Sequence, residues 1–313
     1  MPPRSLRLAP SVSHVGRVDE FVPLADAAYI YTPTSEERTR HVERWQQRPS
    51  QPLSLSLIEN DRAVIASDTS TVELDLRDQS LIRDFLNALE AKAIYFDITG
   101  MPYHAWAPLI RAADGLDMPL RALYAEPREY RYNENRTEDE VFDLSRSTKG
   151  IAPLPGFAVM REAEPSAICL VPLLGFEGSR LMGIVRQVDP PSGMVFPIVG
   201  LPGFRPEYVF HTLQGNRSGL LSDKAWKQIS WVAADCPFDA YYALEKIFTE
   251  APGRYLKLAP IGTRPHALAA VAFVVRHFER AELVYDYPIE VDGRTQGVGE
   301  LHEYSLNALL GVR

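Results

Sequence analysis

The chain has 313 residues, 46% hydrophobic and 24% charged, with a formal net charge of −8. That balance suits a globular protein with a real core, and the negative charge argues against a broad electrostatic footprint on duplex nucleic acid. Two cysteines, Cys169 and Cys236, are too few for a disulfide framework or a cysteine zinc site.

The N-terminal Met1-Pro-Pro-Arg-Ser-Leu-Arg lacks the apolar stretch of a signal peptide, and no apolar run approaches membrane-spanning length. The expectation is a cytoplasmic protein with no membrane partner. Residues 1–20 are polar and read as an irregular arm. A first unit is expected over 21–130. Phe21 to Ile30 is apolar and runs into Tyr31-Thr-Pro-Thr-Ser, and a charged helical pattern follows from Glu36 to Trp45, with Thr34 or Ser35 as its N-cap. Leu53–Ile58 and Thr71–Leu76 read as strands, and Asp78 opens an amphipathic helix. Next come a strand over Ala93–Ile98, a turn over Thr99–His104, a helix to about Ala113 and a strand over Leu120–Ala125.

Residues 131–165 are charged and weakly periodic, and read as a linker. A second unit over 166–313 restarts at Ala167-Ile-Cys-Leu-Val-Pro-Leu-Leu and enters the turn Gly175-Phe-Glu-Gly-Ser-Arg. Val195–Val199 and Ile229–Ala234 read as strands, and Asp239 to Phe248 as a helix. Tyr255–Ala259 is a strand, a helix follows to about His277, and Leu283–Tyr285 is a strand. Residues 289–305 read as a terminal hairpin around Asp292-Gly293. Strands alternating with helices of this length predict an α/β fold with mostly parallel sheets.

The two units repeat one pattern about 160 residues apart. Lys92-Ala-Ile-Tyr-Phe-Asp-Ile-Thr-Gly-Met-Pro-Tyr-His leads to Leu120-Arg-Ala-Leu-Tyr-Ala-Glu-Pro. Tyr255-Leu-Lys-Leu-Ala-Pro-Ile-Gly-Thr-Arg-Pro-His leads to Ala281-Glu-Leu-Val-Tyr-Asp-Tyr-Pro. Each copy is a strand, a Gly/Thr/Pro/His turn, a helix, and a strand ending in Tyr-x-x-Pro. The expected fold is thus a pseudo-symmetric duplication of two tandem Rossmann-like units. Two similar loops facing each other suit a ligand with internal symmetry.

Ligands of open parallel sheets bind outside the carboxyl ends of the strands, where strand order reverses. The conspicuous residues fall at such ends: Thr34 and Ser35; Asp97, Thr99 and Gly100; Glu177 and Arg180; Asp235; and Gly262, Thr263, Arg264 and His266. In Ile261-Gly-Thr-Arg-Pro-His the glycine allows close backbone approach and Thr263 with the helix start accepts an anion. Arg264 adds a bidentate phosphate donor. The competing reading is a capped helix whose threonine satisfies its own backbone and whose arginine is solvated. His104 and His266 occupy equivalent places, facing a site or serving structure. Asp97 is expected to bond the following loop, Glu177 and Arg180 form either a surface pair or a phosphate and ribose contact, and Phe204 is an exposed aromatic. Walker, G-x-G-x-x-G, H-E-x-x-H, paired C-x-x-C and G-x-S-x-G motifs are absent, so no metal or cofactor is expected.

Tyr31-Thr-Pro-Thr-Ser, the Asp-led helix, Asp97-Ile-Thr-Gly and above all Ala259-Pro-Ile-Gly-Thr-Arg-Pro-His are similar to CARF domains. Those are Rossmann-like sensors of cyclic oligoadenylates with an approximate Thr-Gly-Gly-Thr-Lys-Pro loop, and Arg264 stands in the lysine position. Ile98-Thr-Gly-Met-Pro-Tyr-His keeps Thr-Gly and Pro without the basic residue. Two fused CARF-like units resemble SAVED domains of bacterial anti-phage signalling. The resemblance implies a cyclic oligonucleotide across both loops, held by Thr99, Gly100, Gly262, Thr263 and Arg264 with His104 and His266 at the rim. It implies a sensor or adaptor acting on a separate effector protein or as a homo-oligomer. The alternatives are a metal-independent ring nuclease, with Arg264 stabilising charge and His266 or His104 moving protons, and a structural subunit without a site.

Overall fold

The computed structural model describes residues 14–44, 51–137, 140–142, 144–159 and 163–311. Its strands are β1 (His14–Arg17), β2 (Ala27–Tyr31), β3 (Gln51–Ile58), β4 (Arg62–Ala66), β5 (Thr71–Asp75), β6 (Ala93–Asp97), β7 (Leu120–Tyr130), β8 (Tyr132–Thr137) and β9 (Glu140–Phe142). They continue with β10 (Ser145–Thr148), β11 (Ile168–Leu173), β12 (Ile198–Gly200), β13 (Ser230–Val232), β14 (Tyr255–Pro260), β15 (Ala281–Leu283), β16 (Pro288–Glu290) and β17 (Thr295–Ser305). The helices are α1 (Gln79–Ala88), α2 (Tyr103–Ala113), α3 (Gly178–Val188), α4 (Tyr208–Gly215), α5 (Arg217–Leu221), α6 (Pro237–Glu250), α7 (Arg264–Arg276) and α8 (Leu306–Leu309).

The protein is mixed α/β. An eight-stranded sheet has the order β1-β17-β7-β6-β2-β3-β4-β5, and a five-stranded sheet has β13-β12-β11-β14-β15. In the first, β3, β2, β6 and β7 run parallel, flanked by antiparallel neighbours on both sides. Every pairing of the second is parallel. The central strands β6 and β11 are buried along their whole length, as parallel strands covered on both faces must be.

Local chemistry explains the elements that were predicted. Asp78 accepts hydrogen bonds from the Ser80 and Leu81 amides and starts α1. The alanines of α7 let it lie close to its sheet, to α6 and to α2. One apolar cluster runs from Ile94 and Phe96 through Ala107 and Ala270 to Val171 and Leu258, so both sheets share it. Burial pushes the Cys169 thiol up to about 12, which leaves it a packing group.

Several expectations differ from the structure. Residues 289–305 do not pair with themselves: β16 pairs with β10, and β17 pairs with β7 and β1. The Asp292-Gly293 turn does form, with Gly293 left-handed, but the long β7 would otherwise present an open edge, and β17 covers it. β4 went unread; it returns along β3 through a turn in which Asn60 and Asp61 both take left-handed backbone. The pattern after Thr34 is a 3₁₀ helix, Glu37–Arg44, broken at Arg40; Trp45 lies outside the described residues. Most of the polar arm, residues 1–13, also lies outside them. Within 131–165 the chain forms β8, β9 and β10. Among the described residues no helix is long and apolar enough to cross a membrane.

Candidate functional site

Strand order reverses between β2 and β6 in the first sheet and between β11 and β14 in the second. The carboxyl ends of these strands lead to one cavity of about 110 Å³ between the sheets. The second sheet contributes Leu174–Glu177 after β11, Gly200 at the end of β12 with Gly203 and Phe204 beyond it, Ala234 after β13 and Ile261–Arg264 after β14. The first contributes Arg38 after β2, Tyr103 at the start of α2, and Tyr124 and Tyr130 of β7. This is where an open parallel sheet leaves room for a ligand.

The Gly-rich turns act differently from the expectation. A Cβ on Gly262 would lie 2.3 Å from the Leu174 carbonyl oxygen, and one on Gly175 would lie 2.4 Å from that of Ile261. The two turns touch backbone to backbone, so these glycines are required by each other. Thr263 serves as the cap of α7: its hydroxyl accepts from the His266 amide at 3.3 Å and donates to the Ala234 carbonyl at 2.8 Å. His266 Nε2–H donates to the Ala233 carbonyl at 2.9 Å, and the Tyr304 hydroxyl donates to Asp235 at 2.6 Å. Three successive carbonyls are thus tied, which fixes the loop carrying Ala234 against the cavity. His266 is fully buried beneath that wall, its Nδ1 has no partner among the described residues, and burial holds its pKa below the usual range.

Arg264 is buried and reaches across to the first sheet. Its Nη1 donates to the Ile98 carbonyl at 2.6 Å and to that of Met101, and its guanidinium sits 5.3 Å from the centre of the Tyr103 ring. Tyr103 stacks on Tyr285 at 5.0 Å. The reading of Arg264 as solvated is therefore wrong. The other arginines lining the cavity are neutralised. Arg180 holds Asp286 through Nε at 2.8 Å and Nη2 at 2.7 Å; Arg38 holds Glu36 at 2.6 Å; Arg294 holds Glu36 at 2.9 Å and Glu290 at 2.8 Å. Among the described residues Arg264 pairs with no carboxylate. A buried charge without a counter-charge costs several kcal/mol, and two carbonyl dipoles repay only part of that.

Burial alone would raise the Glu36 carboxyl, but Arg38 and Arg294 bring it down to about 2. Its oxygens also accept from Thr295 at 2.7 Å, so the loop after β2 is tied to the start of β17. Glu177 and Arg180 are not a surface pair. Arg180 is committed to Asp286, and Glu177 accepts from the Ser145 amide at 2.9 Å and hydroxyl at 2.6 Å.

Gly262, Thr263, Arg264, Glu177 and Arg180 line the cavity; Thr99, Gly100, His104, His266, Thr34 and Ser35 do not. Thr99 donates its amide to Asp97 and accepts from the Ala125 amide, both at 2.9 Å. Gly100 lies too close to the Thr32 carbonyl for any Cβ, at 2.1 Å. Asp97, as expected, is a loop anchor, accepting also from Tyr29 at 2.7 Å beside His41. His104 rests on Tyr287 at 5.4 Å, and burial holds its pKa low. Thr34 bonds Thr39 and the Glu36 amide, while Ser35 is exposed. Neither histidine is in position to move a proton in the cavity.

Sequence reading missed the aromatic walls. Tyr124 and Tyr285, the tyrosines of the two Tyr-x-x-Pro motifs, both line the cavity, as do Phe176 and Tyr208, 5.3 Å apart. The repeated motif was the signal for the first two. Rings of this kind stack planar groups, and a guanidinium takes an oxyanion. No protein-family model matches the chain, and no curated protein sequence matches it either.

Proposed function

We propose that the chain is a sensor or adaptor that binds a cyclic oligonucleotide second messenger between two tandem Rossmann-like, CARF-like units, and serves prokaryotic anti-phage defence. The observation that carries the ligand class is Arg264: a buried guanidinium with no carboxylate partner among the described residues, at the wall of an aromatic cavity. Such a group stabilises an incoming phosphate that replaces its missing counter-charge. The duplication is supported by matching order, since β3-β2-β6-β7 and β12-β11-β14-β15 are both parallel and each reverses direction at the cavity. It is supported too by α2 and α7, which follow β6 and β14, begin at the cavity and pack on each other. Ligand would favour one arrangement of the two sheets and pass the signal to an effector partner.

Isothermal titration with cyclic di-, tri- and tetranucleotides tests the reading, with the recovered ligand analysed for cleavage. Binding of an intact ring, abolished in Arg264→Gln, is expected. Failure of every ring to bind the folded protein removes the proposal, and recovery of linear product turns the sensor into an enzyme.

A further inference from the structure

The charges around the cavity limit what kind of phosphate it can take. Arg38 and Arg294 face Glu36 and Glu290, and Arg180 faces Asp286 with Glu177 3.6 Å away. With Arg264 these make four cations against four carboxylates. Glu177 and Glu290 line the same cavity as Arg264. The attraction for an anion is therefore local to Arg264, and any second negative charge meets carboxylates whose arginines are already in use. Size narrows the choice further: a water needs roughly 10–15 Å³ of such space, so the cavity of about 110 Å³ holds at most one nucleotide unit, with the rest of a larger ligand outside.

We infer that the cavity accepts a single nucleotide unit whose phosphate carries one negative charge, as an internal phosphodiester does, and disfavours a terminal phosphomonoester. This rests on the nucleotide reading above and specifies the charge state and unit that the site selects. It also separates a ring, which has only diester phosphates, from its linear product once that carries a terminal phosphate.

Adenosine 5′-monophosphate and its methyl ester differ by one ionisation and little else. Both are titrated into the full chain near pH 6 and near pH 8, with the other three nucleosides in parallel. The second proton of a phosphomonoester leaves near pH 6, so the monoester should weaken by more than about tenfold over this interval if only its monoanion binds. The ester should hold its affinity within about twofold, because its charge does not change. Any change in the protein's own charge over this interval affects both ligands alike and cancels in their ratio. Arg264→Gln, checked by circular dichroism for folding, should lose the ester. Equal affinities near pH 8 overturn the inference, as does the failure of every ester to bind at millimolar concentration. Rings that bind while either of those results holds leave the sensor reading intact; failure of rings and monomers together removes both.

Discussion

Glu36→Gln offers the sharpest test of how the site is held. The side chain is 11% exposed and lies against Arg38, which is 3% exposed, and Arg294, which is 16% exposed. Each pKa unit corresponds to about 1.36 kcal/mol, so a carboxyl lowered from 4.5 to about 2 contributes about 3 kcal/mol to stability. The folded state binds its proton less readily than the unfolded chain. The contribution is therefore complete above pH 4.5 and is lost as the pH falls through about 2. Replacing the carboxylate at pH 7 removes this and leaves Arg38 without a counter-charge, for a total of about 3–5 kcal/mol. Urea unfolding of both proteins, followed by circular dichroism, should give that gap near pH 7 and a gap smaller by about 2 kcal/mol near pH 3. A gap that is flat with pH, or one under about 0.5 kcal/mol at pH 7, refutes the argument.

Asp286→Asn should cost about 3–5 kcal/mol in the same assay, because it strips the bidentate partner from buried Arg180. Arg264→Gln should change stability by less than about 1 kcal/mol, the loss of its carbonyl bonds being offset by removal of an unpaired buried charge. His41 and His266 should act in opposite directions. Burial opposes the charged form of His41, but Asp97 outweighs it and holds the pKa above 6.5; its contribution is full below pH 6.5 and lost as the pH rises through the folded value. Burial holds His266 below 6.5, so its contribution is full above pH 6.5 and shrinks as the pH falls toward the folded value. Unfolding of His41→Gln and His266→Gln between about pH 5 and pH 8 should give gaps that change with opposite sign; gaps of the same sign refute the assignment. Tyr103→Arg should lower the melting temperature more than Tyr103→Leu does and regain the difference on adding pyrophosphate; equal melting temperatures without it count against the electrostatic account.

Much of the fold was legible because its signals are local. The Asp78 cap, the buried runs of β6 and β11 and the Thr263-Arg-Pro start of α7 each depend on neighbours within a turn or two. The His266 amide donates to the Thr263 hydroxyl, which makes Thr263 the cap of α7. The partners of Arg264 were not legible, since Ile98 and Met101 lie more than 160 positions away. Only tertiary packing brings that arginine to their carbonyls. The same limit applies to β17, whose alternation says strand but not which sheet, and to Arg38, whose value to the site depends on Glu36 and Arg294. Tyr124 and Tyr285 stood in the repeated motif. A motif used to align two copies does not disclose that both tyrosines face one cavity.

In the first copy the motif position of Arg264 is Met101, and the matching first residue of its helix is Tyr103; the tyrosine has a physical reason under the duplication proposed above. α2 and α7 begin at Tyr103 and Arg264, and these first residues meet, guanidinium over ring, at 5.3 Å. Had both helices begun with a cation, two positive charges at that separation would repel by about 3 kcal/mol at an effective dielectric of about 20. A tyrosine instead turns the contact into a cation–π attraction of about 1–2 kcal/mol where it is desolvated, and its ring also stacks on Tyr285. The starts of the two helices thus carry one cation between them rather than two. Under the proposed function the cost is that Arg264 can match a single phosphate rather than a symmetric pair.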